Sequence, residues 1–291
     1  MLKSEVSIPN NQRTISRAIT VRGIGLHYGK KCSMSILPSN EDTGITFVRK
    51  DLDGENFIKA LWSNVTSTKL CTTISNHKGA SVATIEHLMS ALSGIHIDNV
   101  IVEISGPEIP IMDGSSEPFV NLIEDAGIIE QQKKRKYIRV LKEVSVQNDQ
   151  GSVSIRPNNQ FSINFEIDFP SSIIDKQSCK LQMINGNYKE DVSKARTFGF
   201  EDEVDQLRNS GFALGGSLLN AVVVGKDSIL NEGGLRYEDE FVRHKILDSI
   251  GDLYLAGAPV IGYFEGKKSG HKLNNDLLKK LLNEKSNWTY V

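Results

Sequence analysis

The 291-residue chain is 39% hydrophobic and 24% charged, with a formal net charge of −2 at pH 7. That is enough apolar material for a core that needs neither a disulfide nor a structural metal to fold. A charge this close to zero excludes a general nucleic-acid binder, which needs a basic surplus against phosphates. Cys32, Cys71 and Cys179 are odd in number, scattered and free of any CxxC pair. They argue against a disulfide framework or a cysteine-type zinc site, and for a reducing compartment. The opening residues Met1-Leu2-Lys3-Ser4-Glu5 carry no apolar signal core, and no stretch is long enough to cross a bilayer. The expectation is a cytoplasmic protein without a transmembrane segment, and a monomer.

Short strand-like runs come first, at 20–24 and 32–37. A helix follows over 85–93, where Ile85, Leu88, Met89 and Leu92 keep the helical repeat and Thr84 stands at the N-cap position. Residues 99–104 read as a buried strand. A second helix over 117–125 stops at Gly127. The polar, basic run 131–136 reads as a linker, or else as a solvated face between adjacent elements of one domain. Beyond it, strands are expected at 140–147, 151–156, 161–169 and 221–224. A long helix over 239–256 is closed by Gly257 and Pro259. A strand at 260–265 and a helix at 274–284 end the chain. Strands followed by helices, twice over, predict an α+β fold of two similar domains, 1–130 and 137–291. Each is a sheet layered against helices. No sequence repeat is visible, so any symmetry is structural.

On the long helix His244, Asp248 and Asp252 recur every four residues and share one face. A histidine and an aspartate one turn apart can both reach one metal ion, and zinc accepts both donor types; a solvated polar stripe gives the same spacing. Glu86 and His87 point about 100° apart on their helix. One can bind a metal while the other reaches water. Equally, Glu86 suits the positive end of the helix dipole and His87 a hydrogen-bonded core position. His271, in Lys267-Lys268-Ser269-Gly270-His271, reads as a loop residue after a strand. Thr197, within Ala195-Arg196-Thr197-Phe198-Gly199-Phe200, is an oxyanion donor or an ordinary strand end. The glycine-rich run from Gly211 to Ser217 lacks the Gly-Lys-Ser/Thr of a P-loop. Gly23-Ile24-Gly25-Leu26 fails the dinucleotide pattern.

Thr84-Ile85-Glu86-His87-Leu88-Met89-Ser90-Ala91 resembles the metal-ligand helix of the UDP-3-O-acyl-N-acetylglucosamine deacetylases. Further blocks resemble that family in the same order. They are Gly23-Ile24-Gly25-Leu26-His27, Ile109-Pro110-Ile111-Met112-Asp113-Gly114-Ser115-Ser116 and the segment around Thr197. Leu230-Asn231-Glu232-Gly233-Gly234-Leu235-Arg236, the 239–248 stretch with its His-Lys-Ile-Leu-Asp, and Lys268-Ser269-Gly270-His271 complete the set. The likeness runs from about Thr14 to about Tyr290.

The resemblance implies a metal-dependent amide hydrolase of lipid A biosynthesis, with the active site between the two domains. His87, His244 and Asp248 would be the ligands of Zn2+ (or Fe2+), with one position left open. Glu86 would be the general base, and His271 the acid that stabilises charge and protonates the amine. Asp252 would orient His271, Thr197 would donate to the oxyanion, and Lys245 would bind substrate. The implied partners are an acylated UDP-amino sugar and water. An insert near 197–217 would form an apolar acyl channel, with Phe198, Val204, Ala213 and Gly216 suited to its lining and Asn220 nearby. A non-catalytic UDP-lipid-binding protein of the same fold is the alternative from another class.

Overall fold

Alternating residues set the strands. In Lys31–Pro38 the side chains of Cys32, Met34 and Ile36 are buried while those between them are not, and Val153 and Ile155 do the same in Ser152–Arg156. Each sheet therefore has one face on the core. A computed structural model describes residues 9–183 and 186–291; the Met1–Glu5 stretch lies outside the described residues.

Two five-stranded sheets share one plan. The first runs, in spatial order, Ile19–Ile24, Lys31–Pro38, Val100–Ile104, Ile45–Arg49 and Phe57–Lys59. Only the pair Val100–Ile104 and Ile45–Arg49 is parallel. The second runs Val144–Gln147, Ser152–Arg156, Tyr263–Lys267, Ser162–Asp168 and Lys176–Gln182. Again the only parallel pair joins the central strand to Ser162–Asp168. In both halves four strands of the five-stranded sheet come before the helix that leads to its central strand, the fifth strand inserts at the sheet centre, and a further helix follows. The helices of the first half are α1 (Glu86–Gly94) and α2 (Glu117–Ala126). The second half adds the short α3 (Tyr188–Asp191) and α4 (Val204–Asn209) before α5 (Glu240–Tyr254) and α6 (His271–Asn283). The α+β expectation holds, and the likeness of the halves lies in connectivity, not in sequence.

Four local expectations change. The run 131–136 is not a loop: Ile128–Lys134 is a strand paired antiparallel with Asn11–Ile15. Its polar side chains lie on an exposed two-stranded ribbon, which is why it reads as a linker. Thr84 does not cap α1. Its φ is +58° and its hydroxyl donates to Glu108 Oε1 at 2.8 Å. α6 begins at His271, so that histidine opens a helix and is not on a loop. The expected strands at 140–147 and 260–265 are each broken in two, and Ile138–Val140 joins Val260–Ile261 and Trp288–Tyr290 in a separate small sheet.

α5 packs against α1, α6 and the strands Ser162–Asp168 and Lys176–Gln182, so it is buried on nearly every side. His244, Asp248 and Asp252 are at most 4% exposed, which overturns the solvated-stripe reading. The two central helices meet closely at Gly251, where an added Cβ would lie 2.0 Å from the Glu86 carbonyl oxygen. Only glycine allows that approach. Gly251→Ala is expected to destabilise the fold by about 2–3 kcal/mol, read as a lower denaturation midpoint in urea; an unchanged midpoint contradicts the close packing.

Candidate active site

Glu86 and His87 open α1, and His244, Asp248 and Asp252 line α5 where it crosses α1. One ligand atom each from His87, His244 and Asp248 lies within 4.8 Å of the others. Asp248 Oδ1 is 3.5 Å from His87 Nε2 and 3.3 Å from His244 Nε2. His244 Nδ1 is 3.1 Å from the Ala195 carbonyl oxygen, so Nδ1 carries the proton and Nε2 keeps its lone pair for the cluster. Asp248 Oδ2 accepts from Lys245 Nζ at 3.0 Å, whereas Oδ1 is buried with no hydrogen-bond donor among the described residues. A buried carboxylate oxygen without a donor is costly. Two imidazole lone pairs beside it make a donor set that a divalent cation satisfies.

Charge sorts the cluster. Burial drops His244 to about 4, leaving it neutral at pH 7. Burial works against ionised Asp248, but His244 and Lys245 beside it hold its carboxyl well below the usual range. Lys245 is raised, because Asp248 outweighs the burial of its ammonium.

Glu86 and His271 stand beside the triad. Burial lifts Glu86 to about 7, against the opposing pull of His271 and His87. Its Oε2 accepts the Thr72 amide at 3.0 Å and its Oε1 lies 3.8 Å from His271 Nε2. For His271, burial and the positive end of α6 both oppose protonation. The Asp252 carboxylate, 2.8 Å from Nδ1, reverses this and carries the imidazole up to about 9. Asp252 also accepts from Thr72 Oγ1 at 2.6 Å and Asn274 Nδ2 at 2.9 Å.

A cavity of about 230 Å³ brings together Glu86, His87, Thr197, Phe198, His244, Lys245, Asp248 and His271. Asp252 sits behind His271 and off its wall. Val204, Ala213 and Gly216 do not line it either: Val204 opens α4, and 213–216 drape over the first half, with Leu214 and Gly215 donating to the carbonyls of His27 and Leu26. Asn220 is buried and braces that loop, accepting from the Ser217 amide and donating to the Gly215 carbonyl. A larger cavity, about 290 Å³, lies behind α5 against Ile250, Leu253 and Tyr254 and holds none of these groups. Thr72, Asn274, His27 and Glu108 also belong to the site, and no sequence pattern assigns them a role. His27 lines the site cavity and ends the Gly23-Ile24-Gly25-Leu26-His27 block; Glu108 accepts the amides of His27 and Tyr28, both at 2.8 Å. Thr72 and Asn274 carry no local sequence signal.

The family model for UDP-3-O-acyl N-acetylglycosamine deacetylase matches residues 12–283. A protein of Syntrophus aciditrophicus named UDP-3-O-acyl-N-acetylglucosamine deacetylase is 46% identical over 278 residues, which cover 96% of this chain and 88% of that one. Proteins of the same name from Chromohalobacter salexigens and Hahella chejuensis are 49% and 48% identical over 282 residues, 96% of this chain and 93% of each relative. The chain belongs to this family of metal-dependent deacetylases, and it is an enzyme.

Because its folded value lies above the ordinary 6.5, His271 stays an imidazolium through neutral pH and loses its proton only near pH 9. An NMR titration of the His271 ring should show this, and Asp252→Asn should move the midpoint down. A midpoint unmoved by that substitution would show that Asp252 is not the cause.

Proposed function

We propose that this member of the family hydrolyses the N-acetyl group of a UDP-3-O-(3-hydroxyacyl)-N-acetylglucosamine, giving acetate and the free amine, the committed step of lipid A biosynthesis. The reading rests on one observation. His87, His244 and Asp248 converge within 4.8 Å in a cavity whose wall also carries a raised carboxyl, Glu86, and a raised imidazole, His271. The relatives' names supply the substrate.

His87, His244 and Asp248 would hold Zn2+, with Fe2+ the other ion suited to this donor set. When bound, the cation supplies a Lewis acid that polarises the amide carbonyl and acidifies water. Glu86, titrating close to neutrality, takes a proton from the attacking water. His271 enters as the imidazolium and gives its proton to the departing amine, so the C–N bond breaks without expelling an amide anion. The Thr197 hydroxyl donates to the oxyanion as the carbonyl becomes tetrahedral. Lys245 binds substrate and keeps Asp248 ionised. The acyl chain leaves along an apolar path through the 197–217 insert, with Phe198, Val204, Ala213 and Gly216 on its walls; each methylene kept from water contributes about 0.8 kcal/mol. Residues 1–130 and 137–291 act as two domains of a cytoplasmic monomer and close on the substrate from either side.

Purified protein should release acetate from the acylated UDP-N-acetylglucosamine, lose that activity on complete chelation and regain it with zinc. Turnover that persists without metal would defeat the reading. Glu86→Ala should retain one equivalent of metal while kcat falls by about a hundredfold or more; metal loss in that variant would make Glu86 a ligand instead.

A further inference from the structure

Glu86 Oε1 and His271 Nε2 are 3.8 Å apart, too far for a hydrogen bond and close enough to attract strongly in a buried site. Closing that gap would pair the carboxylate directly with the imidazolium. Each would then satisfy the other, and neither would be available to water or amine.

The groups that resist closure meet at one residue. Thr72 is 2% exposed and directly precedes the strand Thr73–Ser75, the middle of a three-stranded sheet formed with Val65–Ser67 and Ser81–Val82. Its amide donates to Glu86 Oε2 at 3.0 Å, and its hydroxyl donates to Asp252 Oδ1 at 2.6 Å. Asp252 in turn holds His271 Nδ1 through Oδ2, the oxygen that also accepts from Asn274 Nδ2. The Thr72 carbonyl accepts the Ile85 amide, one residue before Glu86. All three polar groups of Thr72 are thus engaged with the two sides of the gap. One side belongs to the first half of the chain and the other to the second.

We propose that Thr72 is a positioning residue, a spacer that holds Glu86 and His271 apart so that substrate and water enter between them. The inference rests on the base and acid roles proposed for those two residues, and adds what keeps them from quenching each other. Thr72 does not line the site cavity; it acts through the two side chains it anchors.

Thr72→Val keeps the shape and the backbone amide and removes only the hydroxyl. In the metal-loaded enzyme, kcat should fall by about ten- to hundredfold, the scale of a buried hydrogen bond to a charged group. KM should stay within about twofold and the metal content should not change. A crystal structure of the loaded variant should show the Glu86–His271 separation reduced to below about 3.2 Å. Thr72→Ser should restore both rate and gap. Should Thr72→Val fail to fold, Asn274→Ala removes the other neutral donor to Asp252 and should shift rate and gap in the same direction. Wild-type kcat in the variant that folds, or a lower kcat with the gap unchanged, overturns the spacer role. If the wild-type enzyme releases no acetate, the proposed function falls, while the crystallographic gap still decides whether Thr72 sets the separation.

Discussion

The contact of α1 with α5 is the constraint on which the site depends. These are the equivalent helices of two halves with the same connectivity, and each is the element that leads into its own central strand. Gly251 lets the backbone of one rest against the first turn of the other. That approach carries His87 to the His244–Asp248 pair, and brings Glu86 beside Asp252 and His271. A wider crossing would leave each half with a well-formed sheet and no shared site.

The chemistry follows from burial acting on charges of known sign. Lys245 keeps Asp248 ionised while occupying only one of its two oxygens, so the other remains for a cation. Desolvation keeps His244 neutral and raises Glu86. The same desolvation would discharge His271, but Asp252 is close enough to reverse the sign. Two imidazoles in one small volume are thus set to opposite protonation states, one chiefly by burial and the other by a carboxylate 2.8 Å away. The neutral one suits a ligand and the charged one suits an acid.

Sequence spacing reveals a large part of this arrangement and conceals the rest for identifiable reasons. The i, i+4, i+8 pattern of His244, Asp248 and Asp252 is local, so the helix displays it directly. That His87 joins them, from more than 150 residues away, is a fact of packing; no periodicity encodes it, and only the likeness to a known family supplies it. Thr72 is invisible because a threonine ahead of a short strand has no distinguishing neighbours. Thr84 reads as a cap from sequence, yet the cap position falls on Ile85 and a left-handed backbone at Thr84 turns its hydroxyl to Glu108. The run 131–136 reads as a linker because the exposed ribbon strand Ile128–Lys134 that it overlaps tolerates glutamine and lysine, the residues that also discourage pairing with other chains. Lys176–Gln182 gives no strand signal for a related reason: only Cys179 of its seven residues is buried.

The ribbon formed by Asn11–Ile15 and Ile128–Lys134 also sets an order of events. The strand Asn11–Ile15, the first among the described residues, pairs with a partner that follows every other described strand of that half. During synthesis its edge stays unmatched until that partner has been made, on the order of ten seconds later. Such long-range pairing is slow to form. The nascent N-terminal half therefore spends its most aggregation-prone interval with a bare strand at its margin.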